Sequence, residues 1–164
     1  MCLEINKLII TLCTGNTCRS PMAERMLQQA LDAEEDPLNT FTVVSAGVSA
    51  GSGNAASKNS MDATKRIGID LSNHCSQPLT DDLLSQAYAV FAMTEAHIFA
   101  LHSYYSVLPK RVHLFREFIT DTANTEIPDP FGQNIQAYSQ CLDSMSEAVP
   151  SILEYLRSEG TTNS

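Results

Sequence analysis

Positive charge is scarce in this chain. Its 164 residues hold 10 Lys and Arg against 19 Asp and Glu, a net charge of −9. With a pI near 4.7, the protein repels polyanions, which argues against nonspecific nucleic-acid binding. Apolar runs are short, none long enough to span a bilayer, so no membrane partner is expected. The amino terminus lacks a basic segment followed by an apolar core, and Glu4 stands where a leader would want positive charge. Cytoplasmic residence is therefore the expectation. Paired cysteines are missing too. Cys2, Cys13, Cys18, Cys75 and Cys141 are odd in number and form no Cys-x-x-Cys. His74, His97, His102 and His113 do not combine with them at zinc-like spacing, so neither a disulfide scaffold nor a structural metal is expected. His97 and His102 are five apart, off a shared helix face, and read as surface histidines. Cys2, Cys75 and Cys141 read as small, partly buried residues.

What is present is one domain's worth of core. At 43% hydrophobic residues the chain reads as a single globular domain over 1–160 with a frayed tail at 161–164, without repeat or linker. Strand and helix patterns alternate, which predicts an α/β fold with a parallel sheet and helices on both faces. Strands are expected at Lys7–Leu12, Phe41–Ser45, Tyr88–Met93 and Arg111–Leu114. Helices are expected at Met22–Ala33, Ser57–Ile67, Asp81–Gln86 after a Thr80 cap, and Glu95–Ser103. Met61, Thr64 and Ile67 fall on one face of the second of these. Ile135, Tyr138, Leu142, Met145, Val149, Ile152 and Leu156 keep helical spacing, with Pro150 expected to kink or break that long helix. Phe115–Gln133 has no clean period and reads as a long functional loop.

The most informative stretch is Leu12-Cys13-Thr14-Gly15-Asn16-Thr17-Cys18-Arg19-Ser20-Pro21. It joins an apolar, β-branched strand to a helix whose first turn holds Pro21. Backbone N–H groups of such a loop point inward, and the helix N-terminus adds partial positive charge. Arg19 adds a planar fork for two oxyanion oxygens. The same positive field favours a thiolate at Cys13, so the loop reads as a nucleophile inside an oxyanion cradle. Asn16 sits mid-loop, where asparagine tolerates a positive φ. Ser20 reads either as a hydroxyl donor to the thiolate or as a helix N-cap. Cys18 reads either as a small buried residue or as a redox partner of Cys13. Among the carboxylates, Asp129 has the best local case for moving a proton, because Pro128 and Pro130 stiffen the loop around it.

Cys13-Thr14-Gly15-Asn16-Thr17-Cys18-Arg19-Ser20-Pro21-Met22-Ala23-Glu24 resembles the phosphate loop of the low-molecular-weight protein tyrosine phosphatases. Ser45-Ala46-Gly47, Gly68-Ile69-Asp70-Leu71-Ser72, His74, Leu79-Thr80, Ala92-Met93-Thr94 and Asp129-Pro130-Phe131-Gly132 match that family's landmarks in order. The resemblance implies a three-layer sandwich around a four-stranded parallel sheet of order 2-1-3-4. It implies a Cys13 nucleophile, with phosphate held by Thr14, Gly15, Asn16, Thr17, Cys18 and Arg19. Asp129 would be the general acid and then base. Asn16 would be tied down by Ser45 and His74. No cofactor is implied, and the expected partner is a phosphorylated protein, met by a monomer. Thr17 replaces the usual Ile or Leu of tyrosine phosphatases, which is similar to the bacterial protein-arginine phosphatase branch. Phosphoarginine is thus the first expected substrate and phosphotyrosine the alternative, with Thr17 and Phe131 flanking it. Thiol-coupled arsenate reduction needs two further relay cysteines, and Ala92–His97 has none. A non-catalytic phosphate sensor would not need nucleophile, arginine and acid together.

Overall fold

The computed structural model describes residues 6–161. The elements run β1 (Leu8–Cys13), α1 (Arg19–Asp32), β2 (Thr42–Gly47), α2 (Lys58–Lys65), α3 (Asp81–Ser85), β3 (Ala87–Ala92), α4 (Glu95–Tyr104), β4 (Arg111–Leu114) and α5 (Ile135–Thr161). Every expected element is present, with ends shifted by up to three residues. The sheet order is β2-β1-β3-β4, all parallel, as the resemblance implied.

Strand side chains alternate between two cores, as the period of two requires. Ile9, Ala89 and Phe91 face Leu27, Leu142 and Ile152 from α1 and α5. Ile10, Leu12, Val90 and Ala92 face Leu84 and Leu101 from α3 and α4. β1 is central and carries the largest apolar load, with Ile9, Ile10 and Leu12 fully buried. Its carboxyl end, Cys13, therefore rests on a buried strand inside the sheet.

Local chemistry sets the helix starts. Ser57 caps α2 by accepting from Ser60 N–H, and Thr80 caps α3 by accepting from Leu83 N–H. α5 is unbroken through Pro150, so of the expected kink or break the break does not occur. Proline forfeits one N–H bond to the carbonyl four residues back. Here that carbonyl belongs to Ser146, which is exposed like Pro150 itself, while Val149, Ile152 and Leu153 hold the helix to the core. Ile67, expected to continue the α2 face of Met61 and Thr64, lies outside the helix and is exposed, because the helix ends at Lys65 and Gly68 turns at φ +81°. The helical segment takes in Gly160 and Thr161, and residues 162–164 of the expected tail lie outside the described residues, as does Cys2.

Gly47 ends β2 against the loop that follows β1. A Cβ there would stand 2.4 Å from the Thr14 carbonyl oxygen and 3.0 Å from the Asn16 nitrogen. Backbone cannot yield as a flexible side chain would, so Gly47→Ala is expected to lower the unfolding free energy by about 2 kcal/mol. Urea unfolding of the two proteins measures this; equal midpoints would show that the approach is not tight.

Candidate active site

The segment 13–18 wraps with its carbonyls turned outward. Cys13 O accepts from Val48 N–H at 3.0 Å, Thr14 O from Ser49 N–H at 2.9 Å, and Thr17 O from Ser57 N–H at 2.8 Å. Asn16 O accepts from His74 Nε2 at 2.7 Å, and Cys18 O from the Ser60 hydroxyl at 3.4 Å. In a trans peptide the next N–H points opposite to each carbonyl. The N–H groups of Thr14, Gly15, Thr17, Cys18 and Arg19 are thereby directed inward, which makes an anion cradle of the loop. Asn16 provides the turn, at φ 57°.

The Asn16 side chain braces that turn, though not through the expected partners. Its Nδ2 donates to Ser20 Oγ at 2.8 Å, and its Oδ1 accepts from Gln77 N–H at 2.9 Å. Ser45 instead donates to Glu24 Oε2 at 2.5 Å, because the β2 register aims its hydroxyl at α1. His74 reaches the Asn16 backbone rather than its side chain.

Cys13 Sγ is buried and lies 2.9 Å from Ser20 Oγ. Asn16 already donates into that oxygen, so the Ser20 hydrogen is available for the sulfur or for Ala46 O at 3.4 Å. The N-cap alternative for Ser20 does not hold. α1 opens at Arg19, with Cys18 at the cap position, so Ser20 lies inside the first turn.

Arg19 is 4% exposed. Its Nη1 donates to Ile127 O at 3.0 Å, and its Nη2 stands 3.7 Å from Asp129 Oδ2. The half-exposed Asp129 is thus brought beside the cradle from 110 residues away. Its loop is fastened by three further bonds, two from the turn into α4 and one from α5. Ile127 N–H bonds Met93 O at 2.9 Å, and Glu126 accepts from Glu95 N–H at 2.8 Å. Cys141 donates to Pro128 O at 3.5 Å, and burial pushes its thiol up to about 11, which keeps the donor protonated. Phe131 follows with its ring 74% exposed, and Thr17 is half-buried.

A nucleophilic sulfur, inward backbone donors, a buried guanidinium and a tethered carboxylate on one sheet end can bind and cleave a phosphoryl group. Residues 8–162 match the low molecular weight phosphotyrosine protein phosphatase family. The chain belongs to that family. This phosphatase is a cysteine-based enzyme acting on phosphorylated protein. It is 36% identical, over 92% of its length and 97% of the relative's, to a protein-arginine-phosphatase of Bacillus subtilis. It is 30% identical, over 94% and 99%, to the probable low molecular weight protein-tyrosine-phosphatase EpsP of Ralstonia nicotianae. A solved YwlE arginine phosphatase, a cysteine-to-serine mutant with its active-site serine phosphorylated, superposes with a TM-score of 0.80 at 34% identity. That match covers 92% of the phosphatase and 95% of the relative. No helix among the described residues is long and apolar enough to cross a membrane.

Two expectations about the phosphatase are corrected. Cys75 is exposed, since it lies on the loop between His74 and Ser76 rather than on a core-facing element. His97, read as a surface residue, is 4% exposed. Its Nε2 lies 2.9 Å from Thr14 Oγ1, and its Nδ1 accepts from Thr94 N–H at 3.1 Å. The signal was available as a capping box, because position three of α4 can reach back to the cap backbone. Cys18 points its thiol at Ser57 Oγ and Tyr138 OH, each 3.5 Å away.

Burial, then the nearby Arg19 charge, lowers His97 to about 4, with Asp129 offsetting only part. In the unfolded chain the ring takes a proton near 6.5. Between those values the unfolded state binds more protons, so stability falls as pH drops through that window and is unaffected above it. Going from pH 7 to pH 5 should cost on the order of 2 kcal/mol through this residue. Denaturant unfolding of wild type and His97→Gln at both pH values tests it. The variant should lose that much less; equal pH dependence would reject the assignment.

Proposed function

We propose that this phosphatase removes phosphate from arginine side chains of proteins. Cys13 thiolate attacks phosphorus as the P–N bond breaks, and Asp129 gives its proton to the departing guanidine nitrogen. The result is a thiophosphate on Cys13. Asp129 then takes a proton from water as that water attacks phosphorus. The S–P bond breaks, Ser20 donates to the leaving thiolate, and inorganic phosphate is released. Arg19 and the inward N–H groups hold the equatorial oxygens throughout. Cys13 and Cys18 are the pair on which reversible oxidation would fall.

The observation that carries the substrate assignment is Thr17. Its hydroxyl lies 3.8 Å from where a Cβ on Gly15 would stand and 3.9 Å from Cys18 Sγ, within the phosphate loop itself. A hydroxyl there can meet a guanidinium or place the attacking water, where an aliphatic side chain would suit a flat ring. The Bacillus subtilis relative named as a protein-arginine-phosphatase supports the same reading. Phosphotyrosine is the second reading, supported by the 30% identical relative named as a probable low molecular weight protein-tyrosine-phosphatase; the exposed Phe131 ring can flank either substrate.

The deciding measurement is kcat/KM on phosphoarginine and phosphotyrosine peptides, with Cys13→Ser as the control for contaminating activity. Wild type should prefer phosphoarginine. Thr17→Ile should flatten or reverse the ratio, mainly by losing phosphoarginine activity, since an unpaired polar group discriminates more strongly than shape. A wild-type preference for phosphotyrosine would install the second reading.

The acid is tested separately. Asp129→Asn should slow aryl phosphates with poor leaving groups about 100-fold and those with good leaving groups far less. Uniform slowing across the series would point to another carboxylate.

A further inference from the structure

Buried His97 spends both ring nitrogens. The Thr94 N–H donates to Nδ1 at 3.1 Å, and the Thr94 hydroxyl lies 3.1 Å from the same atom. A nitrogen that accepts a backbone N–H carries no hydrogen, so the ring proton sits on Nε2. Nε2 therefore donates to Thr14 Oγ1 at 2.9 Å. The low proton affinity of the ring, about 4, keeps it neutral at neutral pH. Thr14 is the residue after the nucleophile, and its side chain is exposed; a free hydroxyl there would sample several rotamers.

The turn that carries His97 also holds the acid loop. Met93 O accepts from Ile127 N–H, and Glu95 N–H donates to Glu126. One short segment, 93–97, thus touches the phosphate loop on one side and the Asp129 loop on the other. Misplacement by about 1 Å between reacting groups can cost orders of magnitude in rate.

We infer that His97 is a positioning residue: its bond to Thr14 fixes the start of the phosphate loop against the turn that carries the acid loop, and so sets the Cys13–Asp129 geometry. The inference rests on the reaction proposed above.

The test uses phenyl phosphate, whose poor leaving group needs the Asp129 proton, as substrate and inorganic phosphate as competitive inhibitor. His97→Asn places an amide oxygen near Nδ1, keeping the cap on Thr94 N–H but losing the reach to Thr14. His97→Gln places an amide N–H near Nε2 and keeps that donor. Thr14→Val removes the acceptor at an exposed position. His97→Asn and Thr14→Val should each lower kcat about five- to ten-fold, the scale of one hydrogen bond. The double variant should be no slower than either single one, and His97→Gln should keep most of the wild-type rate. Inhibition by phosphate should change less than two-fold, because backbone and Arg19 hold it.

Wild-type turnover in His97→Asn, multiplied losses in the double variant, or phosphate inhibition weakening in step with kcat would each overturn the positioning role. A wild type that hydrolyses no phosphate compound would instead sink the reaction assignment on which it rests.

Discussion

Five backbone carbonyls between Cys13 and Cys18 are held outward by donors from three separate stretches of chain, and the site depends on that. Val48 and Ser49 extend the β2 contact past Gly47, His74 reaches in from the loop between α2 and α3, and Ser57 and Ser60 come from the start of α2. A loop that turns five N–H groups toward one point has concentrated like dipoles, which is unfavourable until an anion arrives. External bonds to the opposite face offset that cost. The absence of a side chain at Gly47 is part of the same constraint, because the β2 end can approach the loop only if nothing projects from it.

Electrostatics are local against the global trend. The molecule carries −9 overall, yet the buried cation of the phosphate loop, Arg19, sits at the first turn of α1 with the loop dipoles around it. Arg19 also ties to the backbone of Ile127 and stands 3.7 Å from Asp129. The guanidinium therefore serves two purposes: it supplies charge for phosphoryl oxygens, and it holds the acid-bearing loop over the cradle. Arg116 fixes the other flank of that loop by donating to Asn124 O and Ser144 O. A segment without secondary structure is thereby held in place by side-chain donors from defined elements.

Much of this was legible in residue order. The strand–loop–helix boundary at Cys13–Pro21 follows from β-branched residues before it and Pro21 after it. The two-core alternation of β1 and β3 follows from strand period, and the Thr80 cap from side-chain chemistry at a helix start. Landmarks in family order gave the sheet order and pointed to Asp129. Each of these depends on neighbours in sequence, or on a whole motif, and so survives without coordinates.

Other features had no local signature. The capping box marked His97 as a partner of the Thr94 backbone, but not its contact with Thr14, which lies 83 residues away. Ser45 turned to Glu24 rather than Asn16 because strand register decides where a hydroxyl points. Pro150 left α5 intact because apolar residues on either side anchor it to the core. Sequence by itself determined which residues could do the chemistry and the order of the elements that carry them. Tertiary structure alone decided which donors hold the loop open and which turn joins nucleophile to acid, since hydrogen bonds are set by distances in space that residue order does not encode.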